Sequence, residues 1–202
     1  MNKPKLIYFD FPGGRGEDCR LALHVAGVDF EDDRVAFAAW KGRKASAPFG
    51  ALPVFELPGK GMVGGSNAIL RLIGSGHDLH PTDPVTAAQH EAVMSSVEDV
   101  RARVNPNPAI EDEAEKKAFR EALADGYLRT WAANVEAQIQ GPFLGGDKLQ
   151  VVDLKLRTLV TWFCRGGVDH VSKDVFSEFP KLTALVEAVQ NHPRVVDWYS
   201  RG

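Results

Sequence analysis

From Gly74 to Pro84 the chain reads GSGHDLHPTDP, a stretch dense in residues that end helices and strands. The hydrophobic period differs on its two sides, which restricts the chain to two differently built domains. Upstream, short apolar runs alternate with segments of helical spacing. Downstream, the period is helical to the end. The expected division is 1–78 for a small α/β domain, 79–85 for a linker and 86–202 for an all-helical domain.

The upstream domain is organised around Leu6 to Leu23, LIYFDFPGGRGEDCRLAL. A short apolar run meets a Pro-Gly-Gly turn; Cys19, Leu21, Ala22 and Leu23 then set small or apolar residues at helical spacing beside Glu17, Asp18 and Arg20. A strand hands over to a helix there. Tyr8 on the strand and Arg15 at the lip of the helix therefore reach one edge, where N–H groups of the first helical turn lack intrahelical partners and favour an anion or a thiolate. Val28 to Val35 alternates apolar with acidic residues and reads as a half-exposed strand. Ala36 to Pro48, with Trp40, Lys41, Arg43 and Lys44, shows neither period and reads as a loop. Gly50 to Leu57 reads as a strand entered through Pro53, and Met62-Val63 as its returning neighbour. Ala68 to Ile73 reads as a helix capped by Ser66 or Asn67.

Downstream, Val93, Val97, Val100 and Val104 step along a helix that Asn105-Pro106-Asn107-Pro108 ends. Phe119, Leu123, Tyr127, Trp131, Val135 and Ile139 step by four along one long helix that stops at Gly141-Pro142. Further helices are expected over about 152–163, over 180–189 and after Pro193.

A chain of 202 residues, 44% hydrophobic and 25% charged, buries a substantial core. Its net charge of −3, with both signs interleaved, lacks the clustered positive field that nucleic acid requires. No apolar run approaches the roughly 20 residues that span a bilayer, and MNKPKLIYFDFP has no signal-peptide core, so a cytoplasmic protein without membrane association is expected. Cys19 and Cys164, far apart in sequence, do not suggest a disulfide framework. Cys19 lies near a helix start beside Arg20, a setting that activates thiols, but on the apolar side, where a core residue belongs. His77 and His80 form an H-x-x-H without cysteine or carboxylate companions, and no metal site is expected.

YFDFPGGRGEDCRLAL, the segment Trp40 to Lys44, GALPVFEL, GGSNAILRLI and GDKLQVVDLKL, taken in that order, make the whole chain resemble the cytosolic glutathione transferases, most closely their sigma-like branch. The resemblance implies a thioredoxin-like N-terminal domain followed by a C-terminal helical bundle. It implies a homodimer that binds glutathione as co-substrate, with no metal, and a tyrosine-type transferase acting on small hydrophobic electrophiles. Tyr8 matches the tyrosine whose hydroxyl holds the glutathione sulfur as thiolate, and Arg15 the arginine that adds positive potential, with one extra residue between them here. Trp40 and Lys44 match the pair on the glycine carboxylate, Leu52 the strand-like partner of the cysteinyl part, Pro53 the cis proline after it, and Ser66 the binder of the γ-glutamyl carboxylate. Asp99, with Glu98 as alternative, matches the acidic residue reaching the γ-glutamyl ammonium from the partner subunit. The second-substrate pocket is expected at Phe11, Arg101, Val104 and Asn105, with Trp162 nearby.

The sequence departs from the family at Gly65 and Ala51, where glutamine, or glutamine or lysine, is usual. In the helical domain a capping box reads Gln150-Val151-Val152-Asp153, keeping the carboxylate and losing the hydroxyl. Two other readings stand beside the transferase: a non-catalytic ligand-binding or structural protein of the same fold, and a thiol transferase using Cys19.

Overall fold

The computed structural model describes residues 3–106 and 109–201. The chain divides into two compact units, Met1–Pro84 with His192–Gly202, and Val85–Asn191.

The first unit opens with β1 (Lys5–Phe9), α1 (Gly14–Val25), β2 (Glu31–Val35) and α2 (Phe37–Arg43), and continues with β3 (Val54–Leu57), β4 (Gly61–Gly64) and α3 (Ser66–Gly76). The sheet order is β2-β1-β3-β4. β1 runs parallel to β2, with Tyr8 opposite Arg34, and antiparallel to β3, with Ile7 opposite Val54. Period-two alternation buries Leu6 and Tyr8 on one face of β1, where Leu21 and Leu23 of α1 and Ile69, Leu70 and Ile73 of α3 complete the core.

Two expectations for this unit are corrected. Residues 37–43 are helical, followed by single 3-10 turns at Lys44–Ser46 and Pro48–Gly50. None of α2 is buried, so it has no hydrophobic stripe to betray it. It is fastened from one side: Arg43 Nη1 and Nη2 donate to Asp33 of β2, and Phe37 stacks on Phe9 at 4.5 Å. The cap of α3 is Gly65, with Ser66 the first helical residue, so neither Ser66 nor Asn67 is the N-cap.

The second unit contains α4 (Pro84–Val104, all but its first residue), α5 (Glu113–Ala122), α6 (Arg129–Glu136), α7 (Val151–Cys164) and α8 (Pro180–Asn191). The single helix expected over 119–139 is broken: a π-helical turn at Leu123–Leu128 separates α5 from α6. A strict step of four overshoots the 3.6-residue turn, so an apolar stripe so spaced winds off the core face. The wider turn, at Gly126, brings Leu128, Trp131 and Val135 back to it. α7 is buried on nearly every side and forms the axis of the unit. Its N-terminus is held as the capping motif anticipates: Asp153 accepts from the backbone N–H of Gln150 and of Leu144, each at 2.8 Å.

The last helix, α9 (Pro193–Ser200), packs on α1 and so belongs with the first unit, although its period alone groups it with the helical domain. The buried carboxylate of Glu17 accepts from Trp198 Nε1 and Tyr199 Oη, both at 2.9 Å, and His24 Nε2 meets Asp197 at 2.9 Å.

Candidate functional site

The edge predicted around Tyr8 is built from the turn between β1 and α1. Tyr8 is 5% exposed, and its ring lies over Gly16 so closely that a Cβ there would sit 2.0 Å from Cδ1. A Cβ on Gly14 would stand 3.0 Å from the tyrosine hydroxyl. The bare backbone of the first turn of α1 thus comes right up to the phenol. Phe11 flanks it with a ring-centroid distance of 5.7 Å, and Arg15, half-buried, is the second residue of α1.

Beneath the phenol lies a residue the sequence reading passed over. Arg20 is fully buried, with its guanidinium carbon 5.7 Å from the centre of the Tyr8 ring. Its Nε donates to both carboxylate oxygens of Asp32 at 3.0 Å, Nη1 to the Phe11 carbonyl and Nη2 to the Phe9 carbonyl, each at 3.3 Å. One side chain therefore ties α1 to β2 and to the carbonyls on both sides of the turn that carries Phe11. No local pattern announces this, because an arginine close after Glu17 and Asp18 reads as surface charge.

The remaining positions of the first unit collect near the same sheet. Trp40 of α2 packs edge-on against Phe9 at 5.8 Å. Lys44, exposed in the next turn, lays its stem beside Gly50, whose Cβ would fall 3.3 Å from Lys44 Cε. The Leu52–Pro53 bond is cis, as the family resemblance implies. Leu52 lies outside both sheet ladders, which begin at Val54. The Pro53 carbonyl accepts from Gly65 N–H at 3.1 Å, which joins the Leu52–Pro53 corner to the N-terminus of α3, where Ser66 is buried.

In the second unit, Asp99, Arg101, Val104 and Asn105 lie along the end of α4 and just beyond it. Asp99 is exposed, Arg101 and Val104 are buried, and Asn105 is exposed after the last turn. Glu98 is engaged inside the unit: its Oε1 accepts from Arg101 Nη1 at 2.8 Å and from the fully buried Lys155 Nζ at 2.5 Å. Of the two acidic candidates, Asp99 is thus the one presented to solvent. Trp162 lies near the C-terminal end of α7, against Phe163. Cys19 is fully buried in α1. Among the described residues one group, Glu113, Asp169 and His170, has the spacing of metal ligands; it is exposed, and Glu113 pairs with His170 while Asp169 pairs with Lys116.

Two family models match: Glutathione S-transferase, N-terminal domain, over residues 4–75, and Glutathione S-transferase, C-terminal domain, over residues 98–202. The chain belongs to the glutathione S-transferase family. It is 28% identical to Glutathione S-transferase 1 of Ascaris suum, over 98% of this chain and 96% of that protein. It is 32% identical to Glutathione S-transferase P 2 of Bufo bufo, over 94% and 89%. Among solved structures, prostaglandin synthase D of Nilaparvata lugens superposes with a TM-score of 0.86 at 26% identity, covering 98% of each chain. The N-terminal part of this glutathione S-transferase is accordingly a thioredoxin-like domain with a mixed four-stranded sheet, and a helical domain follows it. Within the described residues no helix is long and apolar enough to cross a membrane.

Proposed function

We propose that the chain is a tyrosine-type glutathione transferase in which Tyr8 holds the thiol of glutathione as thiolate. A free thiol with a pKa of about 8.5 is only slightly ionised at neutral pH, and a hydroxyl donor beside a helix N-terminus corrects that. The observation that carries the reading is the close approach of the α1 backbone at Gly14 and Gly16 to the phenol, which sets the N-terminal dipole of that helix beside the hydroxyl. Arg15 adds positive charge. Trp40 and Lys44 hold the glycine carboxylate, Leu52 before cis Pro53 pairs with the cysteinyl backbone, and Ser66 at the head of α3 takes the γ-glutamyl carboxylate. In a homodimer, Asp99 would meet the γ-glutamyl ammonium of the partner's site. Phe11 of the first unit and Arg101, Val104 and Asn105 of the second stay the family's candidates for contact with the electrophile.

The reaction forms a bond from sulfur to the electrophilic carbon and expels its leaving group; the thiol proton has already gone to solvent. The test is turnover of glutathione with a chromogenic aryl halide. Tyr8→Phe should lower kcat/KM by roughly 10²-fold and move its pH profile toward the free-thiol value, with the fold intact. Unchanged turnover in Tyr8→Phe overturns the assignment. The bare Gly65 and the small Ala51 favour the second reading, a carrier of the same fold that has lost thiol chemistry; it predicts a folded wild type without turnover on any electrophile. A thiol transferase using Cys19 is opposed by the complete burial of that sulfur.

A further inference from the structure

The first turn of α1 carries a buried carboxylate, Glu17, that the proposed thiolate chemistry does not use. Its Oε1 accepts from two donors of α9, Trp198 Nε1 and Tyr199 Oη, each at 2.9 Å. Its Oε2 stands 3.7 Å from Arg20 Nη1, near enough for charge attraction and too far for a hydrogen bond. The same Nη1 donates to the Phe11 carbonyl at 3.3 Å, a long bond. Glu17 therefore stands between the C-terminal helix and the guanidinium that ties down the turn carrying Phe11, all within the first unit.

The two acceptors near Nη1 are unequal, since a charge-assisted bond to a carboxylate is about twice as strong as one to a neutral carbonyl. Glu17 stays off Arg20 because the α9 donors satisfy it where it stands. Stripped of them, a buried carboxylate bears a large desolvation cost with Arg20 as its nearest cation. The gap would then close from 3.7 Å toward the roughly 2.8 Å of a charge-assisted bond, and any share of that movement taken by Arg20 stretches the bond to Phe11 past hydrogen-bonding range. Asp32 grips Arg20 at Nε, while Nη1 and Nη2 both rest on carbonyls at 3.3 Å, so the outer end of the fork is the end that yields. The place of α9 does not depend on the Glu17 bonds alone: Val195 is fully buried, and His24 Nε2 meets Asp197 at 2.9 Å.

We propose that Glu17 is a positioning residue for electrophile binding: Trp198 and Tyr199 hold it where it steadies Arg20 without capturing it, and the C-terminal helix thereby sets the seat of Phe11. Its effect on turnover rests on the transferase reading, with Phe11 as a contact of the electrophile. Its effect on the turn itself does not.

The test compares wild type, Trp198→Phe with Tyr199→Phe, and that pair with Glu17→Gln added, by hydrogen exchange of the backbone between Phe9 and Gly14 and by steady-state kinetics with glutathione and a chromogenic aryl halide. The double variant should exchange about fivefold faster in that turn and raise the KM for the aryl halide about fivefold, with kcat and the KM for glutathione within about twofold. Adding Glu17→Gln removes the charge that captures Arg20 and should return both readouts to within about twofold of wild type, which restored packing alone could not do, since the α9 donors are still missing. Should the double variant fail to fold, Tyr199→Phe with and without Glu17→Gln carries the test at about a twofold effect. Unchanged exchange in the turn, or the same acceleration with glutamate and with glutamine at position 17, overturns the proposal. Exchange that responds and is rescued in a protein without turnover on any electrophile would instead sink the transferase reading and leave the role of Glu17 in the turn standing.

Discussion

Arg20→Met tests whether the buried guanidinium, and not the apolar core alone, sets the position of the turn that carries the phenol's neighbours. The substitution keeps the unbranched stem and removes hydrogen bonds to Asp32, the Phe9 carbonyl and the Phe11 carbonyl. Truncating one partner of a buried ion pair costs about 3–5 kcal/mol when the other charge is stranded. Asp32 is not stranded, since Arg34 Nε also donates to it at 2.8 Å and its side chain is 21% exposed, so the low end of that range applies to the pair. The two carbonyls each lose a net contribution of about 1 kcal/mol, partly recovered if water enters. The expected destabilisation is about 4 kcal/mol, read as a lowered midpoint in urea with an unchanged m-value. Arg20→Lys should recover little, because an ammonium cannot reach the carboxylate and two carbonyls with fork geometry. With Asp32→Asn as the second change, a double-mutant cycle should show coupling of about 1 kcal/mol or more. A loss below about 1 kcal/mol in Arg20→Met, or additivity in the cycle, would refute this account of the turn.

Gly16→Ala puts a Cβ 2.0 Å from the Tyr8 ring, and the helix-propensity gain of up to about 1 kcal/mol does not offset overpacking of that severity; the Tm should fall and aryl-halide turnover with it, whereas an unchanged Tm would show that the ring yields freely. Burial pushes the Asp153 carboxyl up to about 7, against backbone N–H groups that pull it down. Because that lies above the roughly 3.9 of an exposed aspartate, the folded chain holds this proton longer than the unfolded chain does; the group's contribution to stability is full below about pH 4 and is lost as pH rises to about 7. Asp153→Asn replaces one acceptor with a donor facing Leu144 or Gln150, which should cost about 2 kcal/mol at pH 5. The Tm advantage of the wild type over Asp153→Asn should shrink between pH 5 and pH 7, and an advantage that grows over that interval would contradict the assignment.

What was legible in the sequence was whatever burial makes periodic. Leu6 and Tyr8 alternate, Val93 to Val104 follow a turn of 3.6, and both elements lie where those periods put them. α2 escaped because a helix with no buried side chain has no stripe, and its anchor, Arg43 on Asp33, joins residues on separate elements. The break at Leu123–Leu128 was written in the strict step of four, which measures a wider turn, but an apolar stripe on its own does not say whether the helix or the stripe yields. The docking of α9 on α1 depends on Glu17, an ordinary solvent-facing letter until Trp198 and Tyr199 cover it.

The site positions divide along the same line. Cis Pro53 came with the family resemblance, and the start of α3 was readable to within a residue, its cap being Gly65 and not Ser66 or Asn67. Arg20 was not, since an arginine looks the same in sequence whether water or protein surrounds it. Gly65 shows how the two kinds of information combine. A Cβ there would meet nothing within 4 Å, so space does not exclude the glutamine expected from the family, but the backbone sits at φ +91°, a conformation that side-chain-bearing residues rarely adopt. The missing side chain goes together with the local backbone that lets Gly65 N–H reach the Pro53 carbonyl, so restoring glutamine at this position alone would strain the corner that positions Leu52 and Ser66.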